Sequence, residues 1–406
     1  EPFNFEQLDQ LQAADIRFKG RLQSGGIFPE IEETLALQIE DQSLGFETVS
    51  PTEGFDLYGG KGRFDGMVRL GNQGLKGEGG VRYLWADIQS ENFVFKPDQM
   101  LTGAQEFALS ESREGAIEVP QVKGQTVAID WKPYKDSMYI RSEDAPFELF
   151  TRPGYSVDQL LILTPGGLKA KGTFNWAHGL VEGQLMSIGA FSISSDTCDL
   201  KVKVKGLDHL ALNTKDVYTR LDFENFIVTV AANADTTQTT LPYNKFKTNL
   251  NEYDWDMKNE TITFRSRDQQ MGLFQSLLKQ QEGLAFEGRT AFYKLKTSEL
   301  KLGGVEHIRV ADALIYPDSG YVDVLPGGII PPLENAVILA DTIHKYHRIT
   351  AATVRVKGRY EFEAKGLYEY NIGEHQQSIR LDNILGTYHG KGRRRKQSLH
   401  TWAKGI

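Results

Sequence analysis

From Val354 to Tyr370 the chain alternates with a period of two. The even positions are Val354, Val356, Gly358, Tyr360, Phe362, Ala364, Gly366, Tyr368 and Tyr370. The odd positions are Arg355, Lys357, Arg359, Glu361, Glu363, Lys365, Leu367 and Glu369. Successive side chains of a strand point to opposite faces, so this pattern predicts strand with its even face in the core and its odd face in water. The stretch is too long for one ordinary strand and predicts two or three consecutive strands, with Gly358 and Gly366 at bends or bulges. Shorter alternations recur. Val127, Ile129 and Trp131 share a face, Val202 and Val204 sit among lysines, Ile262 and Phe264 alternate with threonines, and Val322 and Val324 flank Asp323. Turn signals separate them, among them Gly59-Gly60, Gly79-Gly80, Pro165-Gly166-Gly167 and Pro326-Gly327-Gly328.

Helical signal is sparse. Met271, Phe274, Leu277 and Leu278 form a stripe that predicts at most three turns over 270–281, and 5–14 is a weaker candidate. Strand and helix do not alternate, which argues against a doubly wound sheet. One internal repeat stands out. In 70–83 and 163–176, Leu70/Leu163, Leu75/Leu168, Lys76/Lys169 and Gly79/Gly172 recur in register, each copy reading as strand, glycine turn, strand. The expectation is an all-β chain of elongated, stacked or wrapped antiparallel sheets (a jelly-roll trough, a sandwich or a solenoid) with very few helices. Residues 1–150 are expected to form one β-rich unit, residues 151–389 a second that is similar to the first and continuous with it, and residues 390–406 a basic, flexible tail.

Composition narrows the class. The 406 residues are 40% hydrophobic and 25% charged, which fits a folded chain. The 40 glycines, 22 phenylalanines and 16 tyrosines suit short strands and tight turns. The net charge of −8 is uneven: from Lys345 onward 13 Lys and Arg face 5 Asp and Glu, whereas the preceding 344 residues carry 33 against 49. So acidic a body argues against general nucleic-acid binding. Cys198 is the single cysteine, which excludes an intrachain disulfide and leaves the compartment open. No apolar run is long enough for a membrane-spanning helix.

Two segments, 74–84 (Gly74-Leu-Lys-Gly-Glu-Gly-Gly-Val-Arg-Tyr-Leu) and 91–98 (Glu91-Asn-Phe-Val-Phe-Lys-Pro-Asp), resemble parts of large, uncharacterised cell-envelope proteins of Bacteroidetes-type bacteria. So do 304–320, around Val305-Glu-His-Ile-Arg, and 335–340, Asn335-Ala-Val-Ile-Leu-Ala. The texture is also loosely similar to the open β-jelly-roll of lipopolysaccharide-transport and AsmA-like bridge proteins, whose trough shields acyl chains. The resemblance implies a Gram-negative periplasmic or cell-surface location, and a chain that is part of a longer one. It implies as partners an envelope lipid or another envelope protein. Its shared residues are turn glycines and strand aromatics, so it carries over no site residue.

Candidate chemistry is thin. His344 and His347 would face opposite sides of a strand and chelate nothing together. Asp318 and Asp323 flank a glycine turn and supply too few oxygens for a calcium loop. Asp254 and Asp256 astride Trp255 share a strand face, as a glycan-active carboxylate pair would. The plainer alternative makes them the wet face opposite buried Tyr253, Trp255 and Met257. Asn259-Glu-Thr261 matches a glycosylation sequon. The basic run 391–396, from Lys391 to Lys396, is expected to be a solvated tail rather than a phosphate site. Serine elbows, phosphate loops and paired cysteines are absent. No catalytic, cofactor or metal residue is therefore assigned. The expected function is a non-enzymatic envelope scaffold or lipid-shielding bridge, and the alternative is a glycan-binding or glycan-degrading β-solenoid.

Overall fold

The computed structural model of the chain describes residues 17–38, 43–113, 115, 117–204, 209–250, 252–266, 270–345, 347–372, 375–389 and 396–402. Strand accounts for 67% and helix for 3%, and among the described residues no helix reaches seven residues, so the fold is all-β and built from large antiparallel sheets. The chain divides into two compact units, residues 1–176 with 183–193, and residues 177–182 with 194–406.

The first unit contains a long antiparallel ladder that follows chain order. Strands β1 (Arg17–Leu22), β2 (Ile31–Gln38) and β3 (Ser43–Val49) pair in turn, and β3 pairs with Gly62–Gly71. Gly74–Tyr83, Ala86–Lys96, Gln99–Leu109 and Val122–Lys132 then add successively. Alternation puts Phe64, Val81, Ile88, Phe107, Ile129 and Trp131 inside, each almost wholly buried. Aromatic edges lock them: Phe28, Phe64 and Phe95 meet at 4.9–6.0 Å, and Trp131 packs on Tyr58 and Tyr83 at 5.2 and 4.8 Å. The predicted repeat is real at the hairpin level. Leu70 pairs with Leu75 and Leu163 with Leu168, each one step inside a two-residue turn. Gly79 and Gly172 both hold positive φ, at 142° and 120°. Both hairpins lie in the first unit, so the likeness repeats within a unit and does not relate two of them.

In the second unit the strand Leu210–Asp222 feeds two ladders, pairing with Ile227–Ala232 along one half and with Thr239–Leu241 along the other. The chain then visits the two alternately. Glu252–Asp256, Thr261–Arg265, Thr290–Lys294, Glu299–Gly303 and Val322–Val324 extend the first ladder. Phe246–Thr248, Gly272–Ser276 and Ala285–Gly288 extend the second. The first ladder's hairpins close with four-residue turns at 223–226, 257–260 and 295–298. Each turn buries its first side chain (Phe223, Met257, Leu295) and holds its last residue (Phe226, Glu260, Ser298) at positive φ. The turns also stack: Met257 N–H donates to Phe226 O and Leu295 N–H to Glu260 O, both at 2.9 Å. Inward residues of both ladders are buried, and Trp255, Phe264, Tyr293, Phe246 and Phe274 are at most 1% exposed. The interior is therefore a packed sandwich.

A meander follows: Ile308–Val310, Ala313–Tyr316, Leu333–Ala340, His347–Gly358, Glu361–Ile372, His375–His389 and Lys396–Trp402. Val354, Val356, Phe362 and Ala364 are buried, while Arg355, Lys357, Arg359 and Glu361 are exposed, as the alternation predicts. Parity survives the two-residue turn 359–360 because a bulge follows it. Gly358 pairs with Glu361, but Val356 pairs with Phe362, so even positions stay on the core face. Three expectations fail: Tyr360, which lies in the turn, and Tyr368 are half-buried and Tyr370 is exposed, the last two because their stretch of the even face runs past the packed core.

The segment 270–281 is not a helix. Gly272–Ser276 is a strand, followed by one 3-10 turn at Lys279–Gln281. Phe274 points inward while Leu273 and Leu277 are exposed, so apolar residues on both faces imitated a helical stripe. The candidate 5–14 lies outside the described residues. So does most of the expected tail, but Lys396–Trp402 forms an edge strand on His375–His389 where a flexible segment was expected, since the open edge there offers backbone partners.

Candidate functional site

The sheet face that meets water in the C-terminal meander is not flat. Both neighbours of Glu361–Ile372 are bulged against it near Gly366. On one side Thr350 pairs with Leu367 and Thr353 with Lys365, so Ala351 and Ala352 together oppose Gly366. On the other, Gly366 pairs with Leu381 and Ala364 with Ile384, so Asp382 and Asn383 oppose Lys365. Ala351 takes a positive φ of 45° to make this turn of the backbone. A Cβ on Gly366 would come within 2.8 Å of Ile349 Cγ2 and 3.0 Å of Thr350 O, so glycine alone permits the double bulge. Bulges bend strands and increase twist, and here they leave two adjoining hollows of about 270 and 590 Å³. Thr353, Lys365 and Asp382 line both, Arg380 lines the first, and Arg355 and Glu363 line the second.

Most charges at this face are committed. Arg380 Nε lies 3.0 Å from Asp382, and Arg355 lies 4.0 Å from Glu363. Lys357 bonds Glu363 and Glu361, and these carboxylates raise its pKa. Thr353 Oγ1 donates to Glu334 at 2.6 Å. Lys365 makes no ion pair among the described residues. Such a surface presents one available ammonium, that of Lys365, and a set of exchangeable ion pairs to any polar or charged group that meets it. A third hollow, of about 550 Å³ on the first unit, is lined by Glu78, Gln89, Ser90, Asn92 and Gln105. There Thr102 Oγ1 donates to Ser90 Oγ, and Ser90 Oγ to Gly103 O, both at 2.7 Å.

The residues singled out by sequence take structural posts. Tyr253, Trp255 and Met257 are buried, and Asp254 and Asp256 are half-buried on the opposite face. Asp254 is ion-paired to Arg265. Asp256 accepts the Asn259 backbone N–H at 2.9 Å and its side-chain amide at 2.7 Å, which lowers its pKa. Its carboxylate closes a turn, and the sequon asparagine is the other half of that closure. Because the folded pKa is depressed, the contribution of Asp256 is complete above the unfolded value near 4 and is lost as pH falls through the folded one. Asp256→Ala should therefore cost about 0.5–1 kcal/mol at pH 7, and the deficit should shrink in denaturant melts taken below about pH 4. A deficit unchanged by acid would refute the capping role.

His344 lies in a turn with Nδ1 2.8 Å from Asp341, and His347 Nδ1 sits 2.9 Å from the Tyr368 hydroxyl, so the two engage different partners. Asp318 opens a single 3-10 turn whose carbonyl accepts from Tyr321 N–H. Asp323 sits on an exposed strand position opposite Lys301. Cys198 is buried and its Sγ donates to Val217 O at 3.4 Å, with burial pushing the thiol pKa up. The basic run from Lys391 to Lys396 lies outside the described side chains. Among the described residues no group of three His, Cys, Asp or Glu is placed to hold a metal ion, and no helix is long and apolar enough to cross a membrane. The bulged hollow escaped sequence reasoning, because Ala351, Gly366 and Asp382 meet only once three strands are in register. No protein-family model, curated protein or solved structure matches this chain.

Proposed function

We propose that this chain is a non-enzymatic scaffold of a Gram-negative cell envelope, periplasmic or surface-exposed, which engages another envelope component through its charged sheet faces. The observation that carries this reading is the filled sandwich of the second unit, whose inward side chains are at most a few per cent exposed. A lipid-shielding bridge needs an apolar interior left open for acyl chains, and here the chain's own Trp255, Phe264, Phe274 and Tyr293 occupy that space. A glycan-active solenoid needs a carboxylate pair free to exchange protons, and Asp254 and Asp256 are held by Arg265 and Asn259. The envelope location rests on the sequence resemblance.

The test joins location with content. Fractionation of the native cells, with protease protection, is expected to place the protein in the envelope, and mass spectrometry of the purified native protein to find no stoichiometric lipid. A cytosolic protein would overturn the proposal. A bound acyl lipid at one per chain would reinstate the bridge.

A further inference from the structure

The edge of β1 differs from the rest of the first unit. β1 (Arg17–Leu22) pairs with β2 along all six residues, and among the described residues no strand pairs with its other edge. Five of its six residues are exposed, on both faces of the ladder. Half of its backbone N–H and C=O groups therefore point away from β2, as at any sheet edge. The two faces have different chemistry. Phe18 opposes Leu35, Leu22 opposes Ile31, and Leu37 opposes Leu44 on the next strand, giving a largely apolar face, interrupted by Glu33 opposite Gly20, that leaves Phe18 55% and Leu44 42% exposed. Arg17, Lys19 and Arg21 occupy the other face. Arg21 is neutralised by Glu32 at 2.7 Å and Glu30 at 3.9 Å. Arg17 and Lys19 have no ion pair among the described residues.

We infer that the β1 edge is a strand-addition site for an extended segment of a partner protein in which acidic residues alternate with apolar ones. An added strand would take up the outward backbone groups, set carboxylates beside Arg17 and Lys19, and lay apolar side chains against Phe18 and Leu22. Directly opposed residues of paired strands share a face, so the alternation has to match on both sides. Charge argues against a second copy as the occupant. An antiparallel pairing of two β1 strands that matched apolar to apolar would stack six cations on one face, with only the two Arg21 side chains compensated. Edge lysines are also a device against self-association, which leaves a partner of opposite charge as the species this edge admits.

The test uses the full chain and a labelled octapeptide alternating Glu and Val, followed by fluorescence anisotropy. Saturable binding is expected. It should weaken by about tenfold or more when the peptide's glutamates become lysines, or when alternate amides are N-methylated to remove the edge hydrogen bonds. A chain carrying Arg17→Glu and Lys19→Glu should invert the preference toward the lysine peptide, with its melting temperature confirming the fold. Equal binding of acidic and basic peptides, or indifference to N-methylation, would overturn the inference. So would binding seen only after residues 1–16 are removed, which would assign the edge to the chain's own first residues. Dimers in sedimentation that Arg17→Glu and Lys19→Glu dissolve would overturn it in favour of a second copy.

Discussion

Phe362→Asp should destabilise the second unit by more than about 4 kcal/mol, whereas Glu363→Gln, one position along, should change stability by about 0.5 kcal/mol or less. Phe362 is fully buried, and its ring fills the space above its cross-strand partner Gly386, where a Cβ would lie 2.0 Å from the ring. The aspartate loses that packing and buries a carboxylate on a core face where, among the described residues, no Lys or Arg is buried. Glu363 lies on the wet face, where its ion pairs with Lys357 and Arg355 are solvent-screened and contribute little. Denaturant melts of the two variants compare them directly. If Glu363→Gln proved the more damaging, the register across the bulge at Gly358 would be wrong by one residue.

Gly79→Ala should be nearly as damaging to the first unit, at about 3 kcal/mol or more, while Gly103→Ala should be neutral or stabilising by up to about 1 kcal/mol. Both glycines lie on neighbouring parts of one ladder, yet their surroundings differ. Gly79 pairs with Gly66, both at positive φ, and the two backbones approach so closely that a Cβ on Gly79 would sit 2.2 Å from Asp65 O. Backbone cannot step aside as a side chain can, so the whole pairing must open. At Gly103 nothing lies within 4 Å of the added methyl, and φ is ordinary. Equal midpoints for the two variants in chemical denaturation would show that the close approach does not exist.

The sequence made the C-terminal meander legible because one side of each strand faces water. Charge on the odd positions and apolar groups on the even ones left a single solution, and the bulge at Gly358 preserved it through the turn. The exposure of Tyr370 could not be read the same way, since periodicity records which face a residue occupies and not how far the core extends beneath it. Around 270–281 there was no binary contrast to read. Gly272 faces inward against Leu250 and Leu273 faces outward, so hydrophobicity and burial are uncoupled there. The stacked turns did leave a mark. Asp222 with Asn225, and Asp256 with Asn259, repeat the same spacing 34 residues apart, and both asparagines donate to their aspartates. That short polar pair is the mark of the repeat in the sequence. The hollow at Gly366 had no such mark, because a double bulge is a relation among three strands and is written in none of them alone.

The stack of turns at 223–226, 257–260 and 295–298 also makes the second unit a ruler. Each coil of 34 to 38 residues returns the chain to the same turn geometry after adding two strands to the first ladder. At about 4.8 Å per strand, one coil advances that ladder by about 10 Å. Because each coil touches mainly its neighbours, duplicating or deleting a whole coil changes the reach of the sheet and leaves the joints above and below intact. Insertions within a turn would misalign its donor with the acceptor of the last, whereas the four-residue difference between the two coils lies outside the turns and leaves both bonds at 2.9 Å. Length in this unit therefore changes in whole coils, and a lineage could alter the reach of its sheet by counting coils, without redesigning a core.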